Sequence, residues 1–237
     1  MTATRRAQRR QATIDEIKQA ALAHIAAQGP ASLGIRGIAR EIGMSPAGIY
    51  RYFDGLDELL TSLITDAYSD LADAVEQSAA GEGGATARLR RAMLAYRQWS
   101  VHDPNRFLLI FGTPIPGYAA PEEGPTVHAN RRLGAVFFGL LVQGWQAGEL
   151  DLPVSPRPAT EEESRFLEGA PPGFPAAWLP PFIGAWAHFH GMVTLELLHQ
   201  LDWIYPDARQ FYTEEIDRLL ASWRRPADQV PDRAGGN

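Results

Sequence analysis

The sequence predicts an all-α chain of about nine helices, and three observations carry the prediction. Apolar residues recur three and four positions apart over long stretches, helix-starting and helix-stopping residues bracket those stretches, and no segment alternates apolar and polar residues as a half-buried strand would. Thr13-Ile14-Asp15-Glu16 has the form of a capping box, so a first helix is expected from Thr13, with the stripe Ile14, Ile17, Ala21 and Ile25 inward and Gly29-Pro30 as its stop. Leu33, Ile35, Ile38 and Ile42 outline a second, shorter helix that ends at Gly43. Ser45-Pro46 restarts the chain, because Ser accepts from an orphan amide at an N-cap and Pro is tolerated at the first helical position. This third helix is expected to reach about Phe53.

Asp54-Gly55 opens a long fourth helix with Leu56, Leu59, Leu60, Leu63, Ile64, Ala67, Leu71 and Val75 on its buried side, ending in the glycine-rich stretch from residue 79 to 84. A fifth helix is expected over about 86 to 101, and a sixth starts from the cap Asp103-Pro104, carries Phe107, Leu108, Ile110 and Phe111, and closes at Gly112 and Pro114. The seventh, about 126 to 147, presents Leu133, Phe137, Leu140, Leu141 and Trp145. Residues 149 to 181 hold eight of the eighteen prolines and no periodicity, which predicts a long proline-rich loop. The eighth helix, about 181 to 202, is apolar on nearly every side and so must be covered on more than one side. A ninth is expected over about 207 to 223.

At 237 residues and 45% hydrophobic, the chain can bury a sizeable core. Cysteine is absent, which excludes disulfide frameworks, thiolate metal sites and cysteine nucleophiles. An N-terminus rich in arginine, and no apolar run of membrane-spanning length, point to a cytoplasmic protein without a membrane partner. The net charge of −6 is unevenly shared. Residues 1 to 51 hold eight basic and three acidic residues, a net of +5, so a small basic module precedes a larger acidic body.

The stretch Ile35-Arg36-Gly37-Ile38-Ala39-Arg40-Glu41-Ile42-Gly43-Met44-Ser45-Pro46-Ala47-Gly48-Ile49-Tyr50-Arg51-Tyr52-Phe53 has the makings of a helix-turn-helix. Ala39 is small where two helices would cross, Gly43 permits the tight turn, and Ile49 plugs the second helix onto the first. These residues closely resemble the DNA-binding signature of the tetracycline-repressor (TetR) family of bacterial regulators, over residues 13 to about 60. The resemblance implies a DNA-binding domain over residues 1–55 whose third helix enters the major groove of double-stranded DNA, and a ligand-binding and dimerisation domain over 56–225, with 226–237 as a disordered tail. It implies DNA contacts from Ser45 and from Tyr50 and Tyr52, while Pro46, Ala47 and Gly48 form a small nonpolar leading edge. Arg36 and Arg51 are the candidates for base edges, since a guanidinium can bond guanine in a bidentate manner. Three positions depart from the family pattern: Leu56 replaces a common phosphate-binding lysine, Gly34 a common hydroxyl residue, and Pro46, Ala47 and Gly48 offer few donors. The N-terminal arginines and DNA shape are expected to supply what these positions lack.

Trp186-Ala187-His188-Phe189-His190-Gly191, together with His102-Asp103-Pro104-Asn105-Arg106-Phe107 and Phe111, resembles a sensor-domain type of the same family named for a Trp-His-Gly signature. That resemblance implies a homodimer through the last two helices, a palindromic operator, and a connector role for the fourth helix. It also implies a small apolar or aromatic effector that releases a repressor from DNA. The aromatic residues Trp99, Phe107, Phe111, Phe137, Trp145, Phe182 and Trp186, with His190 as a polar handle, are the candidate effector lining. No cofactor and no metal is expected. Two rival classes are a ligand-independent DNA-binding protein and an enzyme using the C-terminal pocket. The enzyme reading has little support, because His188 and His190 fall on different faces of a helix, Glu196 and His199 form only one weak pair, and no phosphate loop or nucleophile elbow is present.

Overall fold

The computed structural model describes residues 2–121 and 123–224. Among them the chain is helical throughout, with ten α-helices, two single-turn 3-10 helices and one isolated bridge between Leu150 and Arg224. The anticipated tail of residues 226–237 lies outside the described residues. Contacts divide the described residues into two compact units, one drawn from residues 2–70 and 103–130, the other from residues 71–102 and 131–224. The expected domain boundary after residue 55 falls inside the first unit.

The first unit contains α1 (Thr2–Gln28), α2 (Ile35–Glu41), α3 (Pro46–Ile49), the first part of α4 (Leu56–Ala79) and α6 (Pro104–Phe111). Its core is built from Ile17 and Ala21 of α1, Ile38 and Ala39 of α2, Ile49 of α3, and Leu59, Leu60 and Leu63 of α4. Leu109 of α6 joins the same cluster. Gly43 makes the turn between α2 and α3 at φ +66°, a conformation that a side chain would strain.

Two expectations for this unit fail. The first helix starts at Thr2, not at Thr13, and the capping box does not form, because the Thr13 hydroxyl donates to the Arg9 carbonyl at 3.1 Å inside a continuous helix. The preceding residues are mostly Ala, Arg and Gln, strong helix formers with no breaker among them. Helix α3 is a single turn ending at Ile49, and the chain then reaches Phe53 through turn bonds such as Tyr52 N–H to the Ile49 carbonyl at 2.8 Å.

The second unit holds the rest of α4, α5 (Ala85–His102), most of α7 (Pro125–Gln146), α8 (Glu161–Leu167), α9 (Leu179–Leu197) and α10 (Arg209–Ser222). Helix α8 lies in the segment where the sequence predicts a structureless loop. It is started by a true capping box, with Thr160 Oγ1 accepting from the Glu163 amide and the Glu163 carboxylate accepting from the Thr160 amide. Arg157 pairs with that carboxylate at 2.6 Å and is the main reason its pKa falls to about 2. Helix α9 stops at Leu197, short of the expected 202, where His199 turns into the left-handed region at φ +57°.

The start of α5 is capped from a distance. The Glu149 carboxylate accepts from the Ala85 and Thr86 amides at 3.1 and 2.9 Å, and these amide bonds, the one from Thr86 foremost, hold its carboxyl below the ordinary value. A carboxyl with a depressed folded-state pKa stabilises above its unfolded value, near 4.3, and loses that contribution as pH falls through the folded value. Glu149→Gln is therefore expected to lower stability by about 1 kcal/mol near neutral pH. The gap to the wild type should close in acid; equal denaturant midpoints at neutral pH would show that the charge contributes nothing.

Candidate DNA-binding interface and sensor region

The helix-turn-helix is assembled from short pieces that depend on one another. Ser45 sits in extended backbone and its Oγ accepts from the Gly48 amide at 3.1 Å, so the N-cap read from the sequence is made. Pro46 takes the first helical position and Ile49 is wholly buried. On the exterior of this unit stand Arg36, Ser45, Pro46, Ala47, Tyr50 and Arg51, with Tyr50 56% exposed. Two of the sequence candidates are placed differently. Gly48 is buried, and a Cβ there would come within 2.6 Å of Met44 Cγ, so its backbone packs where a side chain would not fit. Tyr52 is half-buried against the core, and the Arg10 guanidinium lies over its ring at 5.6 Å.

The departures noted in the sequence have structural counterparts. Gly34 gives α2 no side-chain cap, and Leu56 packs onto the helix-turn-helix core. The Glu58 carboxylate takes the Asp54 amide at the start of α4. A cleft of about 200 Å³ on the same unit is lined by Asp15, Lys18, Gln19, Leu22, Leu63, Asp66 and Arg106, and the Lys18–Asp66 ion pair at 2.7 Å makes it polar.

The eight effector-lining candidates are drawn from both units. Phe107 and Phe111 belong to the first unit, where their rings meet at 5.2 Å and Tyr68 approaches Phe111 edge-on at 5.6 Å. In the second unit Phe182 joins an aromatic cluster with Phe138 at 4.5 Å, which in turn meets Phe174 at 4.6 Å and Phe166 at 6.2 Å. Trp145 meets Trp178 edge-on at 5.5 Å, while Trp99 and Phe137 are half-buried. Phe138, Phe166, Phe174 and Trp178 are cluster members that the sequence pattern does not single out. Phe138 is the buried neighbour of Phe137, and the other three come from the proline-rich segment, which has no helical period to flag them.

His190 stacks on Trp186 at 4.8 Å, and its Nδ1 lies 2.8 Å from the Tyr96 hydroxyl. Glu196 does not pair with His199. It takes a two-pronged contact from Arg97, with Nε donating at 2.8 Å, and His199 Nδ1 lies 3.0 Å from Asp202 instead. His188 faces Glu215 at 3.4 Å.

Comparison with known proteins accounts for both halves of the chain. Residues 17–63 match the model of the bacterial regulatory proteins of the tetR family, and residues 89–219 match that of the tetracyclin repressor-like C-terminal domain. The chain belongs to the TetR family. An HTH-type transcriptional regulator of Mycobacterium tuberculosis is 36% identical over 180 residues, 73% of this chain and 75% of that protein. Among solved structures, the regulatory protein SCO4313 superposes with a TM-score of 0.72 at 32% identity, covering 90% of this chain and 98% of that one. A tetR-family protein from Rhodococcus RHA1 shares the fold at a TM-score of 0.61 and 16% identity, covering 90% of this chain and 97% of that one. This TetR-family member is a DNA-binding transcription regulator and not an enzyme. Among the described residues no helix is long and apolar enough to cross a membrane.

Burial holds the His190 imidazole below its ordinary pKa, which favours the neutral ring in the folded state. The sign follows: stability is full above the unfolded value of about 6.5 and declines as pH falls from there through the lowered folded value. Because His190 stacks on Trp186, its protonation should quench indole fluorescence. A fluorescence transition with a midpoint below the ordinary histidine value is expected, and it should vanish in His190→Gln; persistence in the variant would assign the transition elsewhere.

Proposed function

We propose that this regulator works as a homodimer that pairs through α9 and α10, reads a palindromic operator with its two copies of α3, and represses until a small apolar or aromatic effector releases it. The observation that carries the reading is the state of α9 in a single chain. Phe189, Met192 and Val193 are buried, while Ile183, Trp186 and Leu195 of the same helix and Leu198 at its C-cap are exposed. Large apolar side chains left to water along a packed helix are the mark of a face that a second protein surface covers. A two-fold pair built there presents two recognition helices related by the same axis, which is the symmetry a palindrome requires.

On this reading the DNA-binding part comprises residues 1–55, with Arg36, Ser45, Pro46, Ala47, Tyr50 and Arg51 toward DNA, and the sensor comprises residues 56–225. The cytoplasm is its place of work. The aromatic cluster of Phe138, Phe174, Phe182 and Trp178, with Phe166 more than half exposed beside it, supports an effector of flat apolar chemistry. The Tyr96–His190 pair supplies a polar handle in the same unit.

Selection of genomic fragments by the purified full chain, followed by footprinting of the best fragment, tests the reading. Two protected half-sites related by a dyad are expected, with centres about 34–36 Å apart or a multiple of that spacing, occupied by an even number of chains. Binding of equal strength to unrelated fragments would overturn it.

A further inference from the structure

The N-terminal part of α1 is a helix with no buried residue among residues 4–12. Residues 4–12 are exposed without exception, yet they continue the same helix that is buried from Ile17 onward. Arg5, Arg6, Arg9 and Arg10 fall within an arc of roughly 140° at 3.6 residues per turn, so they form one basic stripe. Arg5 with Arg9, and Arg6 with Arg10, are like-charged neighbours one turn apart, which destabilises an isolated helix. Cations in the first turns also oppose the helix dipole. No acidic residue precedes Asp15, and that carboxylate takes the Gln11 side chain at 2.9 Å. Among the described residues none of the four guanidiniums has an ion-pair partner. A polyanion laid along this stripe would relieve all of these unfavourable interactions together.

The stripe also has a fixed place. The Arg10 guanidinium rests over the ring of Tyr52 at 5.6 Å. Tyr52 lies three residues beyond the end of α3 and packs onto the core that holds that helix. The arm is thereby tied, in position and in rotation, to the same core as the recognition element.

We propose that residues 2–12 form a rigid helical arm that lays Arg5, Arg6 and Arg9 on the phosphates of double-stranded DNA flanking the half-site read by α3, with Arg10 on Tyr52 as the pin that sets its register. The inference rests on the DNA-binding role of the family and adds a surface to it. A flexible basic tail would need only the charges; a pinned helix needs the charges and the helix.

The test separates the two with the full-length chain and two probes: a duplex recovered by the wild-type protein from a random-sequence pool, extending a helical turn beyond the footprint on each side, and an unrelated duplex of equal length. The triple variant R5Q/R6Q/R9Q should bind the selected duplex more weakly. Its slope of log affinity against log salt should be shallower by two to three, at about 0.9 for each phosphate that is no longer neutralised. Ala12→Pro keeps every charge but breaks the helix between the arm and the core, and it is expected to show most of the same weakening. Ala12→Gln, which preserves the helix, should bind as the wild type does. Thermal melting of each variant checks that the core, which begins beyond residue 12, is intact. Wild-type binding by Ala12→Pro would overturn the rigid arm in favour of a flexible tail, and an unchanged salt slope in the triple variant would remove the arm from DNA altogether. If the wild-type chain itself prefers no duplex, the fault lies with the operator reading and not with the arm.

Discussion

A helix of one turn cannot hold itself in water, and α3, the helix proposed to read DNA, is a helix of one turn. The proposed reading of DNA by α3 therefore depends on what grips those four residues from behind. The grip is the complete burial of Ile49 among Ile17, Ile38 and Leu59, which stabilises by about 2 kcal/mol for a side chain of that size. Gly43 sets the turn before it, Ser45 caps the Gly48 amide, and Phe53 is buried beyond its end. With these in place the outward residues Ser45, Pro46, Ala47, Tyr50 and Arg51 are free of any packing duty. Gly48 is the inward exception, and it shows how closely the backbone of α3 lies against Met44.

The second unit is organised around α5 in a comparable way, but with polar contacts at its key points. Arg97 reaches Glu196 of α9, Arg90 reaches Asp217 of α10 at 2.6 Å, Tyr96 meets His190, and the Met93 carbonyl accepts from the buried Tyr212 hydroxyl at 3.4 Å. Arg97 is also held over the Tyr212 ring at 5.8 Å, and burial drives that phenol's pKa upward. Directional contacts of this kind specify one arrangement of α5, α9 and α10, because a shifted helix would leave a buried guanidinium without its carboxylate. A face on α9 and α10 fixed so tightly suits a surface that has to match a second copy.

What can be read from the sequence, and what cannot, divides along burial. The helix-turn-helix is legible because its apolar residues are one-sided and its turn residues, Gly43 and Ser45-Pro46, each have one physical use. The first turns of α1 carry no apolar stripe, so only propensity could extend the helix past the decoy at Thr13. Helix α8 buries no residue and is invisible to periodicity, although Thr160 and Glu163 spell a capping box. Periodicity selects Phe137 over its buried neighbour Phe138, an ambiguity that adjacent aromatics on a helix leave open. Phe107 and Phe111, read from the sequence as effector-lining candidates, pack with Tyr68 in the first unit. The cap that Glu149 places on α5 joins residues more than sixty positions apart, and no local pattern announces such a contact.

Native-state hydrogen exchange of the α3 segment tests the central dependence most directly. The amides of Gly48, Tyr50, Tyr52 and Phe53 are bonded within the turn, but their protection should come from the surrounding core. They are expected to exchange through the same cooperative opening as the buried turns of α1 and α4 around Ile17 and Leu59, with similar opening free energies. Rapid exchange of these four amides while α1 and α4 stay protected would contradict the account, since the recognition turn would then form independently of the core that is held to define it.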